Sequence, residues 1–448
     1  MPEIEFSIRD FCYPLSIARL RREFARNQWR DPAQLQAWQD QRLQRVVQTA
    51  YAKVPHWQQL MARRGVKPED IRTAADLPHL PILTKDDVRR LGATLHATDA
   101  RRHRPAQAFT SGTTGLPVAF LVDRHARALE FVYYWRHWSQ AGYRLGSAFA
   151  QLNAGHFAHR REYTRVARWQ PHLRRLLLNS NALHERLIPE FAAALRARRP
   201  RFLKGLASPL YFLALLLQEQ GIRDLRLDAV FATGEMLYPA RRRVIEAAFQ
   251  CRVLDSYGML EQAASIAQCP AGSYHVNQDY CVHEFVPAPV ANGETRLHSV
   301  IGTTLHNQAM PLLRYDTGDL VELLPAGSRC PCGRTLPLVK AIHGRHEDAV
   351  VTPDGRYVTS LFLVPEMVAG VGVTQFVQDD ERNLEVRFVP LADGTTTDRA
   401  AQLAHHVRAL VGDAVRVHVQ SVSPDAIQRG PTGKVPLVVT RVARGVAR

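Results

Sequence analysis

Ser111, Thr113 and Thr114 lie in FTSGTTGLPVAF (109–120), interleaved with Gly112 and Gly115. Glycine lets a backbone approach an anion closely and hydroxyls donate hydrogen bonds to it, so this composition suits a phosphate cradle. The run lacks the Gly-Lys-Ser/Thr ending of a Walker loop. In DSYGMLEQ (255–262), Tyr257 precedes Glu261 by four residues. An aromatic ring at a strand end stacks on a base, and a carboxylate ligates a hard divalent cation. LLRYDTGDL (312–320) sets Asp319 just after a glycine turn, where a carboxylate accepts from two ribose hydroxyls. HGRHEDAVV (343–351) offers Arg345 to phosphate or ribose, and RGPTGKVPL (429–437) presents Lys434 on a Gly/Pro loop. Each stretch also has a plain reading: hairpin loop, rim aromatic, helix-surface carboxylate, turn aspartate, exposed lysine. Side by side, they cover the base, ribose, metal and phosphates of a nucleotide.

Such residues need a frame. The chain has 448 residues, too many for one ordinary core, which predicts a large domain and at least one smaller unit. Hydrophobic residues make up 46% and charged residues 22%, the balance of a globular protein rather than a disordered or fibrous one. The formal net charge is +16 and the sequence pI about 10.0. The arginines are scattered over helices, as in ARLRREFARNQWR (18–30). That fits a solvated basic surface or attraction of a polyanion: a nucleotide, coenzyme A or an acidic carrier protein. There is no zinc finger or RNA-recognition signature, so nucleic acid is not the expected partner. No apolar run approaches the ~20 residues of a spanning helix. PLYFLALLLQ (209–218) reads as a core helix, and MPEIEFSIRD carries charges where a signal peptide is apolar, so the expected compartment is the cytoplasm.

Residues 33–54 space Leu35, Trp38, Leu43, Val46, Val47 and Ala50 as one helical face, ended by Pro55, and Thr84 is placed to cap a helix beginning at Lys85. From about 105 to 260, strand-like AFAQLNA, LDAVFATG (227–234) and CRVLDSYG (251–258) alternate with helices near 186–198 and 239–249. This alternation predicts an α/β fold with a mainly parallel sheet. After about 275, short strands and turns suggest a β-rich subdomain. The last hundred residues, with FVQDDERNLEVRFVP, a helix near 398–411 and VRVHVQSV, read as a small α+β domain.

Taken in order, FTSGTTGLP, DSYGMLEQ, RYDTGDL, HGRHED and PTGK resemble the ordered motifs of adenylate-forming enzymes. LQRVVQTAYAKVPHWQQLMARRGVKPEDIRTAADLPHLPILTKDDVRRL and CPCGRTLP (330–337) are similar to the phenylacetate–CoA ligase family within that superfamily. The resemblance runs from roughly 35 to 440. It implies an α/β adenylate-forming fold: a large N-terminal domain (1–344) with mixed or parallel sheets and a β-subdomain, a hinge (345–348) at Glu347 or Asp348, and a small mobile α+β C-terminal lid (349–448). It also implies ATP- and Mg²⁺-dependent activation of an acid, expected to be aryl or arylacetic, to an acyl-adenylate, then transfer to CoA. A carrier-protein thiol, an amine or a sugar is the alternative acceptor, and a non-catalytic binding protein a third reading. Homodimers fit the resemblance.

By the same resemblance, Ser111, Gly112, Thr113, Thr114 and Gly115 hold the β- and γ-phosphates. Gly234 and Glu235, in ATGEML, line the adenine pocket with Ser256 and Gly258 beside the stacking Tyr257. Glu261 binds Mg²⁺, Asp319 the ribose, Arg345 the ribose–phosphate side, and Lys434 bridges the α-phosphate and the attacking carboxylate. Lys434, Glu261 and Thr114 are the catalytic set. Tyr134, in EFVYYWRHW (130–138), and His156, in QLNAGHFAHRREY (151–163), are candidates for the acid pocket, with helix core as the alternative for the aromatics. The sequence departs from the family twice. Leu116 stands where many relatives carry lysine, and AVVTPDGRYVTS follows HGRHED, resembling the branch associated with capsule and secondary-metabolite clusters.

Six cysteines in an expected cytoplasmic chain argue against a disulfide framework. Cys330 and Cys332 form a Cys-x-Cys turn, and Cys269 and His275 flank another; together they would make a closed tetrahedral zinc set. Reduced buried cysteines are the alternative, and Cys281 with His283 a competing ligand source. The resemblance implies a structural metal at the first four. Cys12 and Cys251 are expected in the core.

Overall fold

The computed structural model describes residues 14–110, 118–157, 165–292, 295–345, 349–354, 357–358, 361, 364–368, 370–390, 398–423, 426–428 and 435–442. The helices are α1 (Pro14–Asn27), α2 (Pro32–Lys53), α3 (Pro55–Arg64), α4 (Lys85–Leu91), α5 (Arg124–Ser139), α6 (Ile188–Arg198), α7 (Ala207–Glu219), α8 (Pro239–Phe249), α9 (Val364–Met367) and α10 (Arg399–Val411). The strands are β1 (Ala106–Thr110), β2 (Val118–Val122), β3 (Phe149–Leu152), β4 (Ala167–Gln170), β5 (Arg175–Leu178), β6 (Phe202–Leu206), β7 (Ala229–Thr233), β8 (Arg252–Gly258), β9 (Ser265–Gln268) and β10 (Tyr274–Val276). They continue as β11 (Cys281–Asn292), β12 (Thr295–Thr304), β13 (Tyr315–Leu323), β14 (Leu338–Arg345), β15 (Val350–Val351), β16 (Tyr357–Val358), β17 (Val371–Asp380), β18 (Asn383–Pro390), β19 (Arg416–Ser421) and β20 (Val438–Thr440).

Local chemistry explains the helix ends. Asp31 caps α2 by accepting from the Ala33 amide, and Pro32 fills a position where a missing N–H is no loss. The predicted face of α2 is buried at Leu35, Leu43, Val46, Val47 and Ala50. Pro55 both stops α2 and opens α3 one residue later. Thr84 and Asp87 form a reciprocal capping box at the start of α4. α7 buries Ala207, Leu210, Leu213, Ala214 and Leu217 against the sheet, as a core helix should.

Two features of the sheet go beyond what the sequence expectation specified. β1 and β2 form an antiparallel hairpin of their own, outside the main sheet. The β-rich stretch after 275 is not a separate sheet: twelve strands run in the order β11-β12-β13-β14-β10-β9-β8-β7-β6-β3-β5-β4. The three-residue β10 is the join, antiparallel to β9 on one side and β14 on the other. β3, β6, β7 and β8 are parallel neighbours. α6, α7 and α8 cover one face of this parallel part through Ile188, Phe191, Leu210, Leu213, Ile245 and Phe249. α5 packs Trp138 against Phe202 and Phe231 on the other face.

Toward the C-terminus, β19-β18-β17-β20 form a four-stranded sheet closed over α10. Its core gathers Val350, Phe376, Val386, Leu403 and Val407. Among the described residues no helix is long and apolar enough to cross a membrane.

Candidate nucleotide and metal sites

The carboxyl ends of β3, β6, β7 and β8 share one edge of the sheet, where ligands bind in open parallel sheets. β7 runs into Gly234 and Glu235. Gly234 has φ +73°, and a Cβ there would lie 2.8 Å from Leu206 Cδ2. Only glycine fits that exit without displacement. Glu235 Oε2 accepts from the Ser208 amide at 2.8 Å, satisfying an N-terminal donor of α7 that its cap residue Leu206 leaves without a side-chain acceptor. The next residue, Met236, packs within 3.5 Å of the Cβ position of Gly344, beside Arg345. The ATGEML loop therefore meets the end of β14.

β8 ends in Ser256, Tyr257 and Gly258. The buried Ser256 hydroxyl donates to the Ala232 carbonyl at 3.2 Å. The Tyr257 hydroxyl donates to Asp319 Oδ2 at 2.6 Å. Asp319 is buried, and its turn is over-determined: its amide donates to Thr317 Oγ1 at 3.1 Å, and the Gly318 amide, at φ +75°, donates to Asp316 Oδ1 at 2.9 Å. Across the ladder, Asp319 stands opposite Arg345. Three stretches read separately in the sequence thus share one place.

Glu261 is buried in a turn closed by the Gln262 amide donating to the Met259 carbonyl at 3.1 Å. Gln262 takes φ +58°, and its Nε2 donates to the Ala126 carbonyl at 3.1 Å. The Tyr315 hydroxyl donates to Glu261 Oε1 at 3.4 Å, and the Tyr315 ring meets Phe120 of β2 edge-on, centroids 6.0 Å apart. Ala108 and Val122 of the hairpin pack with Leu260. The hairpin that carries the hydroxyl-rich loop is therefore fixed against the Glu261 turn. Tyr315 lies inside the RYDTGDL stretch, yet its bridging role had no sequence signal beyond that.

Several predicted residues lie outside the described residues: Ser111, Gly112, Thr113, Thr114, Gly115 and Leu116, the hinge pair Glu347 and Asp348, Lys434, and Cys12. The stems of the Lys434 loop are described. Nε2 of the buried Gln375 donates to the Gln428 and Pro436 carbonyls, each at 3.1 Å, and its Oε1 accepts from the Gln428 amide at 3.0 Å. Sequence reading gave no hint of Gln375, because one glutamine in a strand carries no pattern.

No protein-family model matches the chain. It is 26% identical over 411 residues to a phenylacetate-coenzyme A ligase of Thermus thermophilus, covering 84% of this chain and 87% of that protein. It is 25% identical over 454 aligned positions to the phenylacetate-coenzyme A ligase of Aromatoleum evansii, covering 91% and 94%. It is also 23% identical over 378 residues to protein CapK of Staphylococcus aureus, covering 83% and 81%. Among solved structures, 2-hydroxyisobutyryl-CoA ligase in its postadenylation state with an AMP adduct superposes with a TM-score of 0.72 at 20% identity, covering 93% of this chain and 91% of that one. The chain resembles phenylacetate–CoA ligases in sequence and has the fold of the adenylate-forming ligases. The anthranilate CoA ligase AuaEII superposes less closely, with a TM-score of 0.52 at 14% identity over 81% of this chain and 73% of that one.

A second feature of the chain is a group of four side chains whose donor atoms lie close enough together to hold a metal ion. Cys269 opens a turn after β9, closed by the Gly272 amide on its carbonyl at 2.8 Å. His275 lies in β10, and Cys330 and Cys332 lie in the turn before β14. Cys269 Sγ and Cys330 Sγ are 3.5 Å apart, Cys332 Sγ and His275 Nε2 3.3 Å, and all four donor atoms fall within 4.8 Å of one another. A tetrahedral zinc with Zn–S bonds of ~2.3 Å has S–S edges of ~3.8 Å, so the set fits. Burial pushes the His275 pKa down to about 4, leaving the neutral imidazole that ligates metals. The competing pair falls away. His283 Nε2 sits 3.4 Å from Cys281 Sγ but accepts the Ser265 amide at 3.0 Å, so its lone pair is engaged. Cys251 is only half-buried rather than core.

Of the acid-pocket candidates, Tyr134 lies on α5 and His156 in the turn that follows β3. Tyr134 stacks on Trp138 with centroids 5.6 Å apart, and Lys204 Nζ lies 4.9 Å from its ring centre. Lys204 of β6 pairs in register with Gln151 of β3, which leads to His156, whose carbonyl accepts from Arg168 at 3.3 Å. Trp138 itself is core, stacked on Phe231 at 5.6 Å, so the helix-core reading holds for that aromatic.

Proposed function

We propose that this protein uses ATP with Mg²⁺ to convert a carboxylic acid, of the aryl or arylacetic class, into an acyl-adenylate, and then passes the acyl group to CoA. The Tyr257–Asp319 hydrogen bond of 2.6 Å carries the reading, because it brings the base-stacking and ribose-binding stretches together in one place. In the first step a carboxylate oxygen bonds to the α-phosphorus while the bond to the β-phosphate oxygen breaks, releasing pyrophosphate. In the second, the CoA sulfur bonds to the acyl carbon and AMP leaves.

The residues divide these tasks. Tyr257, Ser256, Gly258, Gly234 and Glu235 place the base; Asp319 and Arg345 hold the ribose side. Ser111, Gly112, Thr113, Thr114 and Gly115 receive the departing phosphates from a hairpin fixed beside Glu261. Glu261 would hold Mg²⁺, which supplies charge neutralisation at the phosphates. Lys434 bridges carboxylate and α-phosphate, where negative charge concentrates as they join. The hinge at Glu347 or Asp348 separates two bodies of packing: the C-terminal core begins at Val350.

Asp319→Ala should raise the KM for ATP about 10–100-fold, the loss of a charge-assisted hydrogen bond or two, with a smaller change in kcat. Steady-state kinetics with ATP varied check this; an unchanged KM removes Asp319 from ribose binding. Cys269, His275, Cys330 and Cys332 hold a structural zinc that ties β10 to the turn before β14. Purified Cys330→Ser protein should lose its zinc by elemental analysis and several degrees of thermal stability, roughly 2–5 kcal/mol for loss of such a staple. Undiminished zinc would remove these ligands.

A second reading, transfer to a carrier-protein thiol, an amine or a sugar, is favoured by the departures at Leu116 and 349–360 and by the likeness to CapK. Acid-dependent pyrophosphate exchange across an acid panel tests the shared first step, and its absence with every acid overturns adenylation. CoA-dependent AMP release then separates the two acceptors.

A further inference from the structure

A cavity of about 640 Å³ opens between α1, α2, the turn before β1, the start of α5 and the loop after β12. Arg42, Arg45, Arg102, Arg104 and Arg124 line it, with Asp123 as its one carboxylate. It lies at the ends of β1 and β2 opposite those that lead into the phosphate-loop segment of the sequence. Arg102 and Arg104 precede β1 and Arg124 follows β2, whereas residues 111–117 join the other ends of those five-residue strands. The hairpin alone separates the two by about 16 Å.

The charges do not cancel. Arg42 is paired with Glu23 at 2.6 Å and lies over the Trp38 ring at 4.0 Å. Asp123 is spent within the protein: its carboxylate caps α5 by accepting from the Ala126 amide at 2.8 Å and takes the Gln308 amide at 2.6 Å. Among the described residues, Arg45, Arg102 and Arg104 have no carboxylate partner, and all three are exposed to the cavity's solvent. Guanidinium groups converging on a concave space repel one another and focus a positive potential there, which a multivalent anion relieves. Their forked donors match phosphate oxygens. The volume suits a small molecule, and Leu20 and Leu305 supply apolar wall.

We propose that this cavity is a binding site for an oligophosphate, a small molecule carrying two or more phosphate groups, separate from the nucleotide site at the sheet edge. The same chemistry belongs to the nucleotide portion of a phosphorylated cosubstrate and to a free oligophosphate effector. An occupant would sit against the frame of the phosphate-loop hairpin, because Asn307 Nδ2 on the cavity's loop donates to the Leu121 carbonyl of β2 at 2.7 Å.

Isothermal titration of the full chain with adenosine 3′,5′-bisphosphate and with inorganic triphosphate tests this. The R45Q/R102Q/R104Q variant should bind at least about thirtyfold more weakly than wild type, as expected for one or two lost charge-assisted hydrogen bonds. The distant R63Q/R64Q/R223Q variant, with the same change in net charge, should bind within about threefold of wild type. The D319A variant, weakened at the sheet edge, should keep this binding and so separates failure of the nucleotide site from failure of the cavity. Tighter binding of the bisphosphate assigns a nucleotide-bearing ligand, and comparable binding a free oligophosphate. Equal weakening in the two arginine variants, or none in the first, overturns the site.

Discussion

Lys434→Ala protein should lose adenylation by about two to three orders of magnitude while still making thioester from supplied acyl-adenylate at close to the wild-type rate. The size is that of removing one donor aimed at charge developing in a transition state. The asymmetry follows from the chemistry. Joining a carboxylate to an α-phosphate brings two anions together and needs a cation between them, whereas thioester formation starts after that repulsion has gone. The loop bearing Lys434 is held at both stems by Gln375 through the Gln428 and Pro436 carbonyls. The stems hold even when the lysine side chain is lost, so the variant should fold normally. Single-turnover measurement of pyrophosphate release and of thioester formation separates the steps. Equal loss in both would contradict the role given to Lys434.

Gly302→Ala should cost about 3–5 kcal/mol or prevent folding, the effect of forcing a methyl group into occupied space. A Cβ on Gly302 would lie 1.8 Å from the Ala263 carbonyl oxygen and 2.6 Å from its carbon. Both are backbone atoms, so no rotamer change relieves the clash. Ala263 immediately follows the Glu261–Gln262 turn, so β12 and the proposed magnesium-binding turn would be pushed apart together. Gly146→Ala is the control. Gly146, unlike Gly302, has positive φ, +85°, and its Cβ position meets nothing within 4 Å, so its cost is backbone strain alone, roughly 1 kcal/mol. Chemical unfolding of both variants checks this, and a Gly302→Ala loss no larger than that of Gly146→Ala would refute the close approach.

What was legible in the sequence was local. Proline and threonine mark helix starts by the N–H they lack or the donor they satisfy, so α4 at Thr84 and α8 at Pro239–Phe249 agree with the spacing-based expectation. Strand–helix alternation gave the α/β class, and the ordered motifs gave the likeness to ligases. Cys269, His275, Cys330 and Cys332 could be nominated from their turns and from the resemblance, and the fold brings their donor atoms within 4.8 Å of one another.

What the tertiary structure alone decided is which distant segments touch. Tyr257 reaches Asp319 across a separation of 62 residues because β10 stitches the parallel strands to β13 and β14 in one sheet. Tyr315, Gln375 and Gly302 matter through a partner far along the chain, and residue type carries no record of that partner. The basic cavity is the same case: arginines that look scattered along 42–124 become one charged wall when α2, the turn before β1 and α5 pack together. Periodicity and capping act within a few residues, whereas pairing across a sheet depends on every intervening strand finding its neighbour.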